Sequence, residues 1–319
     1  MTVSRMDRVF GSDTIEVIVF PGGFNWPIWV AQENGFFERN NVTVKITPTP
    51  NSEFQLTNLI DGKFDIAMTA IDNLIAYMEG QGEAPTTQTP DLVAVMGSDN
   101  GFLRLVSVPE VKTYADLKGK EVSVDARTTG YAFVLEKLIE KGGLNFNDVT
   151  YVKAGGVLQR LEALLAKKHA ATMLISPFEV VAEARGFNRL ANAVDVLGHY
   201  QGVVAGVRRQ WAKENESQIV GFIRGFRAGL DWLYDPANKG EAIAILRKNL
   251  PNMAADLAYN SYGILMDPTD GFTRNASIDL EGVRTVLALR RQYGEPQKKL
   301  MDPMKYIDLS YYEKAKPAR

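Results

Sequence analysis

Short apolar runs alternate with amphipathic stretches along the first 200 or so residues of the chain. Apolar runs of about four to eight residues with β-branched side chains are typical of buried strands, and a 3.6-residue period is typical of helices packed on them. The order strand–helix–strand–helix–strand occurs twice, and both copies span about 50 residues, as expected of paired α/β units. The predicted strands comprise residues 17–20, 42–46, 64–68, 92–96, 122–124, 149–152 and 171–175.

The remainder of the chain has helical periodicity. We predict helices over residues 211–233, 240–250, 253–262 and 278–293, and we expect them to pack back on the first α/β unit. Two apolar, β-branched segments, residues 103–107 and 203–207, then become the crossings between two lobes. The first lobe would contain residues 1–103 and 207–319 and the second residues 104–206, with the hinge at the crossings. A fold with two crossings can close like a clamp.

Aromatic residues cluster where the first predicted strand gives way to a helix. The stretch from residue 17 to 37 reads VIVFPGGFNWPIWVAQENGFF, and its Pro and Gly residues end the strand. The Asn25 side chain is placed to cap the new helix. In open α/β sheets ligands bind outside the carboxyl ends of the strands. The cluster therefore suggests one wall of a small-molecule site.

The composition of the chain excludes or disfavours several classes of function. The formal net charge of −2 argues against a general nucleic-acid binder, which usually needs a basic face. The chain has no Cys and two His, so thiol catalysis and disulfides are excluded and a His-rich zinc site is disfavoured. We expect no metal and no cofactor. The N-terminal 14 residues contain no apolar stretch of the kind a secretory signal needs.

Four ordered blocks resemble the solute-binding proteins of ABC importers for nitrate, sulfonates, taurine and thiamine-pyrimidine precursors. The blocks are WPIWVAQENGFFERNNVTVKI, LIDGKFDIAMTAIDNLIAYMEG, ADLKGKEVSVDARTTGYAFVLEKLIEKGGLNFNDVTYV and ISPFE, within residues 13–235. The stretch AKKHAATML departs from the family's usual G-x-x-D-A pattern. The pyrimidine-synthase enzymes on this fold use a cysteine-bearing motif that this chain lacks, so the resemblance implies binding rather than catalysis.

The resemblance implies a two-lobe, α/β, periplasmic-binding-protein-like fold of type II. It also implies a monomer that carries a small molecule to the membrane permease of an ABC transporter. The expected location is the periplasm or, with a lipid anchor, the outer face of the membrane; a cytoplasmic location stays open because no signal peptide is visible. Alternatives from another class are a same-fold enzyme or a cytosolic sensor for a pyrimidine or related metabolite.

Ligand contacts are expected at the strand-to-helix turns of both lobes. Trp26 is the candidate for stacking on a planar ligand, the alternative being packing within its own lobe. The turn 127–129 offers hydroxyls, free N–H groups and the Arg127 guanidinium to an anion, the alternative being helix capping. The expected ligand is a small organic anion, a carboxylate that can be aromatic, or a sulfonate. The candidate ligand-binding residues are Phe24, Asn25, Trp26, Ser52, Thr69, Asp72, Arg127, Thr128, Thr129, Tyr131, Gly155, Phe178 and Tyr200.

Overall fold

Ten strands form two mixed sheets in the computed structural model, which describes residues 13–317. In chain order they are β1 (Asp13–Val19), β2 (Val42–Pro48), β3 (Ile66–Ala70), β4 (Leu92–Gly97), β5 (Leu103–Ser107), β6 (Glu121–Val124), β7 (Thr150–Lys153), β8 (Ala171–Ile175), β9 (Asn188–Asn192) and β10 (Val203–Arg208). The spatial order is β2-β1-β3-β10-β4 in the first sheet and β7-β6-β8-β5-β9 in the second.

The two sheets share one topology. In the first, β1 is parallel to β2 and β3, and β10 is antiparallel to β3 and β4. In the second, β6 is parallel to β7 and β8, and β5 is antiparallel to β8 and β9. The antiparallel strand in each sheet is the first strand after the chain has crossed from the other sheet. The predicted repeat of α/β architecture is therefore confirmed.

Helices cover the sheets. They are α1 (Trp26–Glu33), α2 (Ser52–Ile60), α3 (Ile71–Met78), α4 (Gly130–Lys141), α5 (Val157–Leu165), α6 (Phe178–Glu183), α7 (Ala193–Leu197), α8 (Arg209–Glu214), α9 (Glu216–Leu233), α10 (Lys239–Asn249), α11 (Ala255–Leu265), α12 (Leu280–Tyr293) and α13 (Ser310–Ala315). The helix predicted over residues 211–233 is interrupted at Asn215, whose backbone is not helical (φ −125°, ψ 37°). Strand β9 is not among the predicted strands, because its residues, NRLAN, contain no apolar run.

Most contacts of the C-terminal helices are with elements that flank the first sheet, and their assignment to the first lobe stays a prediction. Helix α9 contacts α1 and α13, and α10 contacts α1. Two of them also reach the second lobe, because α12 lies against both α3 and α4 and α11 touches α6. Helix α12 thus bridges the lobes. Within residues 13–317 no helix combines the length and the apolar character that a membrane crossing requires.

Two neighbouring connections, residues 98–102 and 198–202, join the sheets. The predicted hinge segments 103–107 and 203–207 are strands β5 and β10, so the connections precede them. The backbone carbonyl of Asp99 accepts the Gly202 N–H at 2.9 Å. The side-chain Oδ1 of Asp99 accepts the N–H groups of Gly101 (2.8 Å) and Val203 (3.1 Å). Asp99 therefore ties the two connections together. The boundaries of moving lobes stay a prediction.

Asp99 should make stability depend on pH. Burial raises the pKa of its carboxyl to about 6, although the N–H groups of Val203 and Gly101 oppose the shift. An unfolded Asp titrates near 3.9, so between about pH 4 and 6 the folded chain binds a proton that the unfolded chain does not, and this group destabilises the fold as pH rises. Asp99→Asn removes this titration, so the stability of the variant relative to the wild type should be about 2 kcal/mol greater at pH 7 than at pH 4. Urea unfolding across this range measures the difference; a pH-independent difference contradicts it.

Candidate ligand-binding site

A cavity of ≈ 40 Å³ lies between the two lobes at the carboxyl ends of the parallel strands. Since one water-sized sphere occupies about 10–15 Å³, this closed form leaves room for about three water molecules. Aromatic and aliphatic side chains make up most of the wall. The lining residues are Phe20, Phe24, Met68, Ala70, Asn73 and Val203 from the first lobe and Asp125, Thr129, Gly130, Tyr131, Val157, Arg160 and Ile175 from the second.

The guanidinium of Arg160 supplies positive charge to this cavity. Arg160 lies in the second turn of α5, is 3 % exposed, and donates from its two Nη atoms to the carbonyls of Gly155 (2.8 Å) and Met173 (3.3 Å). Among residues 13–317, the Nε of Arg160 has no hydrogen-bond partner and its guanidinium forms no ion pair. Burial lowers the pKa of Arg160, with Asp125 opposing the shift. A buried cation without a counter-ion is costly, so the site favours an anion.

Asp125 follows β6 and reaches across the cleft to the first lobe. Its Oδ2 accepts the backbone N–H of Ser52, at the start of α2, at 2.9 Å. The side chain that caps α2 is Asn51, which accepts the Phe54 N–H at 2.7 Å. The α2 N-terminus, where Ser52 was expected to meet the ligand, thus binds a carboxylate of the chain itself.

Two further polar groups belong to the cavity wall. The Asn73 amide donates to the Thr69 hydroxyl at 2.9 Å, which places Thr69 behind Asn73. The Tyr131 hydroxyl is buried without a hydrogen-bond partner in the described structure, and burial raises its pKa. The ring of Tyr131 lies 6.4 Å from that of Tyr200, centroid to centroid, so Tyr200 supports the wall from behind. Among the sequence candidates, Phe24, Thr129 and Tyr131 line the cavity.

A buried ion pair beside the cavity joins the lobes; we call Asp72, Gln81, Arg290 and the Thr128 carbonyl the latch. Arg290 of α12 binds both oxygens of Asp72, at 2.5 and 3.1 Å, and donates to the Gln81 side-chain oxygen at 3.0 Å. Its Nη2 also donates to the Thr128 carbonyl in the second lobe. Asp72 and Arg290 are 1 % and 0 % exposed. Asp72, a predicted ligand contact, is thus neutralised by Arg290.

Polar contacts along the mouth of the cleft also connect the lobes. Lys153 pairs with Glu53 at 3.0 Å and with Glu83 at 2.9 Å, and the Thr128 hydroxyl donates to Glu83 at 2.7 Å. The Gly156 N–H donates to the Pro50 carbonyl at 2.8 Å. These bonds need the lobes in contact, so the structure represents a closed form.

Trp26 lies outside the cavity, contrary to its expected ligand-facing position. It is 0 % exposed, its Nε1 donates to the Ala242 carbonyl at 3.0 Å, and its ring packs edge-on against Tyr262. Its neighbour Asn25 does not cap α1; its amide donates back to the carbonyls of Phe20 (2.6 Å) and Gly22 (3.1 Å) and shapes the loop. Trp26 therefore anchors α1 to α10 and α11.

Replacing Trp26 separates packing from ligand binding. Trp26→Phe keeps the aromatic contact but removes the hydrogen bond from the indole N–H to the Ala242 carbonyl and leaves space beside the smaller ring, so we expect a loss of about 1–3 kcal/mol in unfolding free energy. Ligand affinity should change less than about twofold. Urea unfolding and calorimetric titration measure the two quantities. A large loss of affinity with unchanged stability would restore the ligand-stacking interpretation.

Arg127 is turned away from the cavity into the second lobe. Its guanidinium lies 3.8 Å from the Tyr151 ring centroid and 4.4 Å from that of Phe146, and it pairs with Glu136 at 3.4 Å. Aromatic faces and a carboxylate thus satisfy its charge. Two other candidates also do not line the cavity: Gly155 contributes its carbonyl to Arg160, and Phe178 is buried in α6.

Sequence reasoning missed the charged pair of the cavity, Asp125 and Arg160. Arg160 lies in an amphipathic helix, where charged residues are usually solvated. It shares the apolar stripe of Val157, Leu161 and Leu164, all buried, and an Arg on that stripe was the available signal. No cluster of three or more residues of metal-ligating type (His, Asp, Glu) occurs in the part of the chain that the structure describes.

Comparisons with known proteins identify the family of this chain and proteins of similar structure. The family model described as NMT1/THI5 like matches residues 25–239, so the chain belongs to that family. A structure from Bordetella bronchiseptica RB50 is similar with a TM-score of 0.80 and 17 % identity, covering 97 % of this chain and 98 % of that one. A comparison with curated protein sequences finds no match.

Several similar structures carry functional names, among them a sulfonate-binding and a nitrate-binding protein. The alkanesulfonate-binding protein SsuA of Xanthomonas axonopodis pv. citri, bound to MOPS, has a TM-score of 0.74 and 15 % identity over 92 % of this chain and 97 % of its own. The periplasmic nitrate-binding protein NrtA of Synechocystis PCC 6803 has a TM-score of 0.77 and 13 % identity over 95 % of this chain and 88 % of its own. The fold is therefore that of the periplasmic binding proteins.

Proposed function

We propose that this protein is the solute-binding component of an ABC import system and captures a small organic acid in the cavity between its lobes. The observation that carries the proposal is Arg160, a buried guanidinium that forms no ion pair with any residue from 13 to 317, in a largely apolar cavity that both lobes line and that also contains the Asp125 carboxylate. The names of the sulfonate- and nitrate-binding neighbours support an anionic ligand group.

The walls favour an organic rather than an inorganic anion. Phe20 and Phe24 present aromatic rings, and Met68, Val157 and Ile175 add aliphatic surface. Such surface stabilises a hydrocarbon body at roughly 25 cal/mol per Å² buried and gives nothing to an ion as small as nitrate. A carboxylate or sulfonate on a short aliphatic body fits this combination, since the closed cavity of ≈ 40 Å³ has room for about three water molecules.

Transport follows from closure of the lobes on the ligand. A ligand that touches residues of both lobes binds the closed form better and shifts the population toward it. In this proposal the closed, loaded monomer meets a membrane permease at the periplasmic or outer face, and no bond in the ligand is made or broken. The similar structures with functional names are named as binding proteins, which supports this interpretation.

A thermal-shift screen tests the proposal. The panel contains aliphatic and aromatic carboxylates, alkanesulfonates, nitrate and neutral pyrimidines. At 100 times the Kd, a bound ligand should add about 2.7 kcal/mol to the unfolding free energy. We expect a shift from organic acids that mass spectrometry recovers unmodified. Shifts from nitrate or a neutral pyrimidine alone, or turnover of the compound, would contradict the proposal.

A further inference from the structure

Three glycines lie where one lobe meets the other. Each of them faces a residue across the cleft, and a side chain on the glycine would point at that residue. The pairs are Gly23 with Pro177, Gly130 with Asp72, and Gly156 with Pro50. We call these pairs the glycine contacts. In every pair one residue belongs to the first lobe and the other to the second, so the contacts form when the lobes close.

Rigid groups oppose the first two glycines. A Cβ atom on Gly23 would lie 2.6 Å from the Cδ of Pro177, a ring atom that cannot rotate away. A Cβ atom on Gly130 would lie 2.3 Å from the Cγ and 2.6 Å from the Cβ of Asp72, whose carboxylate Arg290 holds through both oxygens. Since carbon atoms in contact are about 3.5–4.0 Å apart, an alanine at either position requires the lobes to separate by roughly 1 Å.

Gly156 meets the opposite lobe through the backbone. Its N–H donates to the Pro50 carbonyl at 2.8 Å, and a Cβ atom on Gly156 would lie 2.9 Å from the same oxygen. The Phe20 ring would lie 3.1 Å from that Cβ atom. A methyl group at this position therefore competes with a hydrogen bond between the lobes.

The lobe that contains each glycine does not itself require glycine there. Gly23 lies in the helical turn Gly23–Asn25, Gly130 is the first residue of α4, and Gly156 has a φ of −62°. None of the three has a positive φ, so an L-residue can adopt the same backbone without strain. The requirement for glycine thus arises from the opposite lobe, and the open form should tolerate alanine.

Closure at the glycine contacts determines the size of the cavity. With the lobes in contact at these points the cavity measures ≈ 40 Å³, and any separation of the lobes would enlarge it. An apolar pocket of fixed size distinguishes ligands that differ by one methylene by roughly 10- to 200-fold. The distance between the closed lobes therefore decides which ligand length fits.

We propose that the glycine contacts set the closed distance between the lobes and thereby make the cavity selective for acids with a short body. The inference rests on the proposed function, because it takes this cavity as the ligand site. It adds to that function the residues that determine ligand size, two of which, Gly23 and Gly156, do not line the cavity.

A homologous series of acids tests the inference in Gly23→Ala. The series comprises acetate, propionate, butyrate and pentanoate and the sulfonates from methanesulfonate to butanesulfonate, each titrated calorimetrically at pH 7. The acid that the wild type binds best should lose about 5- to 100-fold in affinity, as expected when a methyl group is forced into a packed contact. A homologue longer by one methylene should lose less, so the preference shifts toward longer acids. Neither Gly23 nor Pro177 lines the cavity, so direct contact with the ligand does not explain such a shift.

Gly156→Ala repeats the test at an independent contact, and Gly263→Ala is the control. Gly263 lies within α11, where a Cβ atom would meet no atom outside its own helix within 4 Å in the described structure. The control should keep the affinity and the chain-length preference of the wild type. Both test variants should melt within about 3 °C of the wild type, because opening of the lobes relieves the clash.

The outcomes distinguish the inference from the proposed function. Wild-type affinities in both test variants, or an equal loss for every acid in the series, overturn the inference and leave the proposed function standing. A large fall in melting temperature in both test variants shows that the glycines serve the fold of their own lobes and also overturns the inference. So does absence of wild-type binding across the series; the proposed function fails as well only if the wider thermal-shift panel gives no shift.

Discussion

Arg160→Met should weaken binding of the best organic acid by at least about 100-fold and leave the protein folded. The guanidinium contributes the positive charge of the cavity, and charge-assisted hydrogen bonds contribute roughly 1.5–3 kcal/mol each. Methionine keeps much of the length and volume of the stem but leaves the carbonyls of Gly155 and Met173 without donors. Removal of an unpaired buried charge offsets part of that cost. Calorimetric titration measures the affinity and urea unfolding the stability.

Arg127→Met is the matched control. The sequence analysis predicts that the Arg127 guanidinium contacts the ligand, but in the structure it stacks on Tyr151 and Phe146 outside the cavity. Its loss should change affinity less than about threefold, since its contacts with Tyr151, Phe146 and Glu136 all lie outside the cavity lining. If Arg127→Met abolishes binding and Arg160→Met does not, the anion lies at the turn 127–129 and the cavity assignment is wrong.

Arg290→Met should lower the unfolding free energy by about 3–5 kcal/mol, because it leaves the Asp72 carboxylate buried without a counter-charge. Both side chains are fully buried, and besides Asp72 Arg290 satisfies two further groups, the Gln81 side-chain oxygen and the Thr128 carbonyl. Arg284→Met is the control on the same helix. That arginine is half exposed and pairs with Glu281 one turn away, so its loss should cost under about 0.5 kcal/mol.

A double variant separates stability from closure. Asp72→Leu combined with Arg290→Met removes both buried charges and should regain most of the lost stability. It should still bind ligand more weakly than the wild type, because no donor now reaches the Thr128 carbonyl across the lobes. A loss of under 1 kcal/mol in the single variant, or wild-type affinity in the double variant, contradicts the role we assign to the latch.

Much of the fold could be predicted because local sequence patterns mark its strands and helices. Apolar runs and helical periods mark strands and helices, and their repeated order defines two α/β lobes. The same order predicts that a ligand binds at the carboxyl ends of the parallel strands, and the cavity lies there. Within it, Phe24, Thr129 and Tyr131 were predicted as candidates and lie on the cavity wall. Their contact with ligand stays a prediction.

The remaining site features depend on partners that are distant in sequence. Trp26 bonds to Ala242, 216 residues away, and Asp72 to Arg290, 218 residues away. No local pattern shows that these polar groups are already satisfied inside the protein. Conversely, Arg160 lies on the apolar stripe of α5, and its burial depends on the packing of that helix against β8. Long-range pairing therefore decided which polar residues remained available to a ligand.

Closure of the lobes on an organic acid is the central claim, and the radius of gyration in solution tests it most directly. Small-angle scattering should be recorded with and without a saturating amount of the compound that gives the largest thermal shift. The account predicts that the compound decreases the radius of gyration to the value expected for the closed form, and that Arg160→Met shows no decrease at the same concentration. An unchanged radius in the wild type at proven saturation would contradict closure as the mechanism.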